Sequence, residues 1–152
     1  VIKERPKCYG IAIDISKKAL NIAIDNAKMH HLQNKIKFIN NDIDKFNYNK
    51  YDFVLSNPPY IKNSEIIGLE SNIKLYEPKI ALGAGVDGLR EIKKLIIRSK
   101  NLLKLNGKLI FEIGNNQIFH IMNILKKNSF YIDKICYDLR NYPRVIISTK
   151  LN

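Results

Sequence analysis

Residues 51–60 read Tyr-Asp-Phe-Val-Leu-Ser-Asn-Pro-Pro-Tyr, a short apolar run that stops at two consecutive prolines. Residues 52–56 have the apolar, β-favouring composition that predicts a strand. Neither proline carries a backbone N–H group, and Pro58 restricts Asn57 to an extended conformation. The stretch therefore predicts a strand that ends in a rigid loop with free carbonyl groups and one amide side chain.

The sequence on both sides of this stretch alternates between strand and helix patterns. This alternation indicates a parallel sheet with helices on its faces. The last two strands are joined by a short loop, so we expect them to pair antiparallel. The remaining predicted elements are a strand over 9–14, a helix from the N-cap Ser16 to about His31, a strand over 36–40, an irregular stretch over 61–86 with one helical turn near 64–70, a helix from a cap at Asp87 to Asn106-Gly107, a strand over 108–112, a helix ending near Asn128, and strands over 130–138 and 144–149.

Length and composition predict a single domain, residues 1–152, in a reducing cytoplasm. Two cysteines cannot build a disulfide scaffold, and no apolar run approaches the roughly 18 residues of a membrane span. The net charge of +12 favours a polyanion or an acidic partner. The excess of Lys, Asn and Ile is equally typical of a genome-wide compositional bias, so both explanations stay open.

The loop Asn57-Pro58-Pro59-Tyr60, called the 57–60 loop below, is the most specific candidate for a functional site in this sequence. In open α/β sheets, ligands bind outside the carboxyl ends of the strands. Carbonyl and amide oxygens in such a loop can accept hydrogen bonds from a substrate NH2 group and turn its delocalised lone pair toward an electrophile. Tyr60 offers a ring face for the substrate. The competing interpretation is a strand that simply ends in a turn.

Three other residues are candidates for a ligand site only in combination with the 57–60 loop. Asp14 ends the first predicted strand, where an acid commonly binds ribose hydroxyls, although Asp also favours turns before helices. Asp42 follows the second strand and fits either an adenine amino group or an Asx-turn. Ile43 fits either a flat ring or the core. His30 and His31 lie side by side rather than on one helix face, so they predict no metal site.

A glycine pattern at 83–88, Gly-Ala-Gly-Val-Asp-Gly, fits the dinucleotide-binding form G-x-G-x-x-G. It precedes a helix, and Glu112 ends the next strand. The apolar run before it covers only residues 80–82, directly after Glu77-Pro78, and hardly makes a central strand. The pattern is therefore weak evidence for a dinucleotide site.

Residues 51–61 resemble the methyl-acceptor motif of S-adenosylmethionine-dependent N-methyltransferases. Residues 76–82 (Tyr-Glu-Pro-Lys-Ile-Ala-Leu) and 83–89 (Gly-Ala-Gly-Val-Asp-Gly-Leu) narrow the resemblance. They match HemK/PrmC-type release factor glutamine methyltransferases, in which E-P-x-x-A-L and a glycine-rich D-G-L segment follow N-P-P-Y. Residues 111–114 (Phe-Glu-Ile-Gly), Gln117 and Arg144-Val145 also fit, so the resemblance covers essentially the whole chain.

The resemblance implies a Rossmann-like class I methyltransferase fold, with a mostly parallel sheet, an antiparallel last strand and flanking helices. It implies S-adenosylmethionine as cofactor and a peptide chain release factor as protein substrate. In this alignment Asp14 holds the cofactor ribose, and Asp42 and Ile43 contact adenine. The resemblance assigns Asn57, Pro58, Pro59 and Tyr60 to binding of the substrate glutamine, and Asn57 also to contact with the methyl donor.

The family's glycine-rich cofactor loop, D-x-G-x-G-x-G after its first strand, has no counterpart in these 152 residues. The resemblance therefore implies the C-terminal part of a catalytic domain, without that strand and loop, that is inactive and binds cofactor poorly on its own. Two other functions stay open. A nucleic-acid amino methyltransferase would stack a flipped base on Tyr60, and a folded remnant would have no activity.

Overall fold

The computed structural model describes residues 1–60, 88–114 and 116–152. These residues contain six strands and three helices, in two compact units, Val1–Phe46 and Asn47–Asn152. Each unit is described separately. The strands are β1 (Gly10–Asp14), β2 (Ile36–Asn40), β3 (Tyr51–Ser56), β4 (Leu103–Glu112), β5 (Phe130–Tyr137) and β6 (Pro143–Lys150), and the helices are α1 (Lys17–Met29), α2 (Arg90–Leu102) and α3 (Ile118–Lys127).

The first unit is a β-α-β arrangement in which β1 and β2 pair in parallel. The register runs from Gly10 opposite Ile36 to Asp14 opposite Asn40. Helix α1 connects the two strands and begins at Ser16, whose hydroxyl accepts a hydrogen bond from the Ala19 amide at 3.2 Å. This bond satisfies one of the backbone donors that the first turn of a helix leaves unpaired. The predicted strands, helix and N-cap of this unit are confirmed.

The second unit contains a four-stranded sheet in the order β3-β4-β6-β5. Strands β3 and β4 are parallel, whereas β6 runs antiparallel to both β4 and β5. Of the strands described in this sheet, only β6 is reversed, which confirms the expected mostly parallel sheet with an antiparallel last strand. Parallel pairing brings the ends of β3 and β4 to one edge, so Asn57 and Glu112 lie on the same side of the sheet.

Helices α2 and α3 bury apolar residues that recur at helical spacing in the sequence. Ile92 and Ile96 of α2 and Ile121 and Leu125 of α3 are fully buried. Helix α2 begins later than the sequence predicts. Leu89 holds the N-cap position, and its side chain makes no capping hydrogen bond. The predicted cap, Asp87, lies outside the described residues.

Helix α2 also ends earlier than the sequence predicts, at Leu102 rather than at Asn106-Gly107. Residues 103–107 belong to β4, whose ladder with β3 has an irregularity between the pairs at Tyr51 and Phe53. Asn106 adopts a φ of 61° there, and a Cβ on Gly107 would lie 3.0 Å from the Lys104 carbonyl oxygen. The Asn-Gly pair therefore shapes a bulge within a strand, not the end of a helix.

Several predicted features lie outside the described residues. They are the helical turn near 64–70, the Glu77-Pro78 pair and all but the last residue of the glycine pattern at 83–88. None of the described helices is both long enough and apolar enough to cross a membrane.

Candidate functional site

The 57–60 loop leaves the carboxyl end of β3 and borders an open cleft of about 380 Å³. Asn57 is exposed at this border, and Pro58 directly after it is buried. The loop therefore presents an amide to solvent from a backbone that is packed into the protein. The cleft is lined by Leu55, Ser56, Asn57, Ile110, Phe111, Glu112 and Val145.

Tyr60 closes the loop with a hydrogen bond to an acid from the neighbouring strand. Its hydroxyl donates to Glu112 Oε1 at 2.9 Å. Burial raises the pKa of Tyr60 above its usual value, and the hydrogen bond to Glu112 and the charge of Glu112 raise it further. The phenol consequently stays protonated at neutral pH and acts as the donor. The Tyr60 ring is thus fixed in orientation by β4.

Arg144, at the start of β6, supplies positive charge next to this pair. Its guanidinium donates to Asp138 Oδ2 at 2.9 Å, and this hydrogen bond raises the pKa of Arg144. The same positive charge lowers the pKa of Tyr60, against the effect of Glu112. Glu112 and Arg144 therefore act on the Tyr60 phenol in opposite directions, Glu112 through a hydrogen bond and its charge and Arg144 through its charge alone.

Gln117 joins the 57–60 loop to two other segments. Its Nε2 donates to the carbonyl oxygens of Tyr60 and Gly88, each at 3.0 Å, and its Oε1 accepts from the Gly114 amide at 2.9 Å. A Cβ on Gly114 would lie 2.9 Å from Tyr60 Cδ2 and 3.1 Å from Gln117 Oε1. Only glycine permits so close an approach without a shift of these atoms.

Asp14 stands at the carboxyl end of β1, in the first unit. Its Oδ1 accepts a hydrogen bond from the Ser16 amide at 2.7 Å. Among the described residues, this amide is the donor to the carboxylate, so Oδ2 can accept from a ligand hydroxyl. Asp14 therefore forms the turn that was one of its two predicted roles. This turn uses Oδ1, so it is compatible with ribose binding through Oδ2.

Asp42 and Ile43 follow β2 at the same edge of the first unit. The Asp42 carboxylate accepts from the Asp44 amide at 3.0 Å, which is the Asx-turn that the sequence left open. The backbone N–H group of Asn41 donates a hydrogen bond to the backbone carbonyl oxygen of Asp14 at 3.2 Å, so the loops after β1 and β2 meet. Asp14, Asp42 and Ile43 are all half-buried and border one edge.

Three residues outside the predicted set belong to the network around the 57–60 loop: Glu112, Gln117 and Arg144. The sequence marks Glu112 as the end of a strand and as part of the Phe-Glu-Ile-Gly stretch of the family resemblance, and it marks Gln117 and Arg144 only through that resemblance. Their contacts with Tyr60 span more than 50 residues for Glu112 and Gln117. Strand order is the signal that would have found Glu112, because β4 pairs directly with β3.

The arrangement is suited to holding a planar, weakly nucleophilic group at the edge of the sheet. Asn57 offers both an acceptor and donors, and Pro58 and Pro59 contribute carbonyl acceptors. The backbone of the loop is fixed by its prolines and by Tyr60, so these acceptors are preorganised. Preorganised hydrogen-bonding groups lower a barrier because they need not reorient during the reaction.

Comparison with known proteins identifies relatives over most of the chain. A family model described as "RMKL-like, methyltransferase domain" matches residues 2–79. A "Bifunctional methyltransferase" of Rickettsia typhi is 37% identical over 98% of this chain. A "Release factor glutamine methyltransferase" of Fusobacterium nucleatum is 39% identical over 91% of it. The aligned region spans only 29% and 39% of the length of these two relatives.

Solved structures of methyltransferases share the fold. A methyltransferase from Pyrococcus furiosus superposes with a TM-score of 0.70 at 16% identity, covering 99% of this chain and 67% of that protein. The N-methyltransferase NodS from Bradyrhizobium japonicum, in complex with S-adenosyl-L-homocysteine, gives 0.63 at 14% identity, covering 99% and 71%. The fold is therefore that of class I methyltransferases, and the chain belongs to the family of RMKL-like methyltransferase domains.

Proposed function

We propose that this chain is the catalytic part of an enzyme that methylates the side-chain amide of glutamine in a peptide chain release factor. The observation that carries the proposal is the 57–60 loop, anchored through Tyr60 to Glu112 at the edge of an open cleft. The name of a relative at 39% identity, "Release factor glutamine methyltransferase", supports the same reaction. We further propose that residues 1–152 act as one domain, in the cytoplasm, where release factors work.

The residues at the carboxyl ends of β1 and β2 fit S-adenosylmethionine as the methyl donor. Oδ2 of Asp14 can accept from a ribose hydroxyl while Oδ1 keeps the Ser16 amide. Asp42 offers a carboxylate acceptor for the adenine amino group, and Ile43 an apolar surface for the ring. The sulfonium of this cofactor supplies a methyl group that is activated for displacement.

The protein's part in the reaction is to hold the glutamine amide in a reactive orientation. Asn57 Oδ1 and the Pro58 carbonyl oxygen accept hydrogen bonds from the two N–H groups of the substrate. The amide lone pair is thereby directed at the methyl carbon. Bound S-adenosylmethionine would supply the electrophilic methyl carbon and take the C–S bonding electrons as the N–C bond forms, and the amide held by Asn57 and Pro58 would lose one proton to water. Positioning of this kind accounts for the reaction without a base in contact with the substrate.

The decisive experiment incubates the complete natural protein that carries this chain with radiolabelled S-adenosylmethionine and purified release factor. We expect label in the release factor, on a single glutamine located by mass spectrometry. The same protein with Asn57→Ala provides the matched background. Label in RNA or DNA but never in the release factor would contradict the proposal and favour a nucleic-acid methyltransferase.

A further inference from the structure

Gln117 is a polar side chain inside the second unit, with only 6% of its surface exposed. It occupies the N-cap position of α3 but makes no capping bond to that helix. Its amide instead reaches back to three other segments, at Tyr60, Gly88 and Gly114. A buried amide that does not serve its own helix is expected to have a role elsewhere.

The three partners determine which end of the amide is nitrogen. Tyr60 and Gly88 present carbonyl oxygens, which only the NH2 group can satisfy, and Gly114 presents an N–H group, which only Oε1 can accept. Both donor hydrogens and one acceptor position are therefore used. A flipped amide would place its oxygen against two carbonyl oxygens and its NH2 group against the Gly114 N–H group, so three hydrogen bonds would be lost.

The contact with Tyr60 places Gln117 at the end of the 57–60 loop opposite Asn57. Tyr60 is held at two points, its hydroxyl by Glu112 and its carbonyl oxygen by Gln117. The two prolines between Asn57 and Tyr60 have fixed φ angles. The loop therefore has fewer free dihedral angles with which to absorb a displacement of Tyr60 before it reaches Asn57.

Gln117 also binds Gly88, the first described residue after 61–87. Its NH2 group binds the carbonyl oxygens of residues 60 and 88, which flank residues 61–87 in the sequence. Gly88 has a φ of 71°, which directs its carbonyl group toward Gln117 at low conformational cost. One side chain thus links Tyr60 to Gly88.

We propose that Gln117 is a positioning residue for methyl transfer, which holds the 57–60 loop in its reactive geometry through Tyr60 without touching the substrate. This inference rests on the proposed function. Misplacement of reacting groups by about 1 Å can cost on the order of 100-fold in rate. Loss of the Gln117 contacts should therefore lower turnover far more than it lowers affinity for the methyl donor.

The test uses two variants of the complete natural protein. Gln117→Met keeps the length of the side chain but removes every hydrogen bond. Gln117→Glu keeps the acceptor for the Gly114 amide but loses both donors while it is ionised. We expect kcat to fall at least about tenfold in both, with the Kd for S-adenosylmethionine changed less than about twofold. For Gln117→Glu, the ratio of variant to wild-type turnover should rise as the pH falls, because a protonated carboxyl can donate again.

Ser148→Ala is the matched control, because Ser148 is a fully buried polar residue whose hydroxyl donates to the Leu109 carbonyl oxygen at 3.2 Å, within the sheet. It should lose stability and keep its kcat. Folded Gln117 variants with kcat within about twofold of wild type would overturn the proposal. If both Gln117 variants failed to fold while Ser148→Ala folded, Gln117 would be assigned to stability alone, which also overturns it.

Hydrogen exchange separates this inference from the proposed function. The Gly114 amide should exchange faster in Gln117→Met than in wild type and stay protected in Gln117→Glu. If the wild-type protein left the release factor unlabelled, the proposed function would fail. The expected exchange pattern would still support the anchoring by Gln117, and unchanged protection of Gly114 in Gln117→Met would overturn it.

Discussion

The loops at the carboxyl ends of the strands are held in different ways in the two units. After β1 and β2, carboxylates bond to amides two residues along the chain, as Asp14 does to Ser16 and Asp42 to Asp44. After β3, Tyr60 is held by Glu112 and Gln117, which are 52 and 57 residues away in sequence. The first edge is shaped by short-range bonds, and the second by tertiary contacts.

This difference fits the two tasks that we propose for the edges. A carboxylate that forms a turn with one oxygen keeps the other for a ligand, so a local motif is enough to bind a nucleoside. Orienting a weak nucleophile requires acceptors fixed to a fraction of an ångström. Fixing a loop to that degree requires contacts from several elements, and the 57–60 loop receives them from β4 and the segment before α3. The following predictions test whether the first edge serves binding and the second serves orientation of the substrate.

The largest effect is expected at Asn57. Asn57→Ala should lower turnover about 100-fold or more, because it removes a positioned hydrogen bond to the reacting amide. Affinity for the methyl donor should change far less, as measured by calorimetry. Asn128→Ala is the control, because the amide of Asn128 bonds to the Ile124 carbonyl oxygen at the end of α3. A turnover near that of wild type would remove Asn57 from the mechanism.

The second effect is expected at Asp14, on binding rather than on rate. Hydrogen bonds to a charged group contribute about 1.5–3 kcal/mol each. Asp14→Ala should therefore weaken binding of S-adenosylmethionine at least about tenfold in calorimetry. Asp25→Ala removes the same charge from an exposed position of α1, next to Lys28, and should leave affinity unchanged. Equal affinities for both variants would limit Asp14 to its turn.

Tyr60→Phe should cost about 0.5–1.5 kcal/mol of folding free energy, because Glu112 loses its donor. The folded state raises the pKa of Tyr60 above its ordinary value of 10.0. The hydroxyl therefore stabilises the fold below about pH 10, and this contribution is lost as the pH rises through the folded-state pKa. Urea titrations should show a constant difference from wild type near neutral pH and a smaller one above about pH 10. A difference that grows with pH would contradict this reasoning.

The smallest effect is expected at Asp138, in a third loop that combines both kinds of contact. Its carboxylate accepts from the nearby amides of Arg140 and Tyr142 and from the Arg144 side chain. The hydrogen bond from the Tyr142 amide, followed by that from Arg144, lowers the pKa of Asp138 below 3.8. This stabilisation is present above about pH 4 and is lost as the pH falls through the lowered pKa. The stability difference between wild type and Asp138→Asn should accordingly shrink in acid, and a constant difference would contradict the assignment.

Sequence patterns predicted the elements of the chain better than their ends. Leu20 and Ala27 in α1, and Ile92 and Ile96 in α2, recur at helical spacing in the sequence, and the structure buries all four. The predicted end of α2 at Asn106-Gly107 was wrong. An Asn-Gly pair is typical of the end of a helix, but here it forms a bulge in a strand. A helix end and a strand bulge both favour residues that adopt a positive φ or lack a Cβ, so the residue types do not distinguish the two. The pairing of β4 with β3 does.

The sequence by itself determined the order of the strands and helices, the rigid ending of β3 at Pro58, and the class I methyltransferase fold through its resemblance. These properties depend on periodicity, fixed φ angles and motifs that lie within a few residues of each other. Only the tertiary structure decided that Glu112 and Gln117 hold Tyr60, and that Gly114 must lack a side chain beside it. The physical reason is that hydrogen bonds across more than 50 residues form only when strand pairing has brought their partners together.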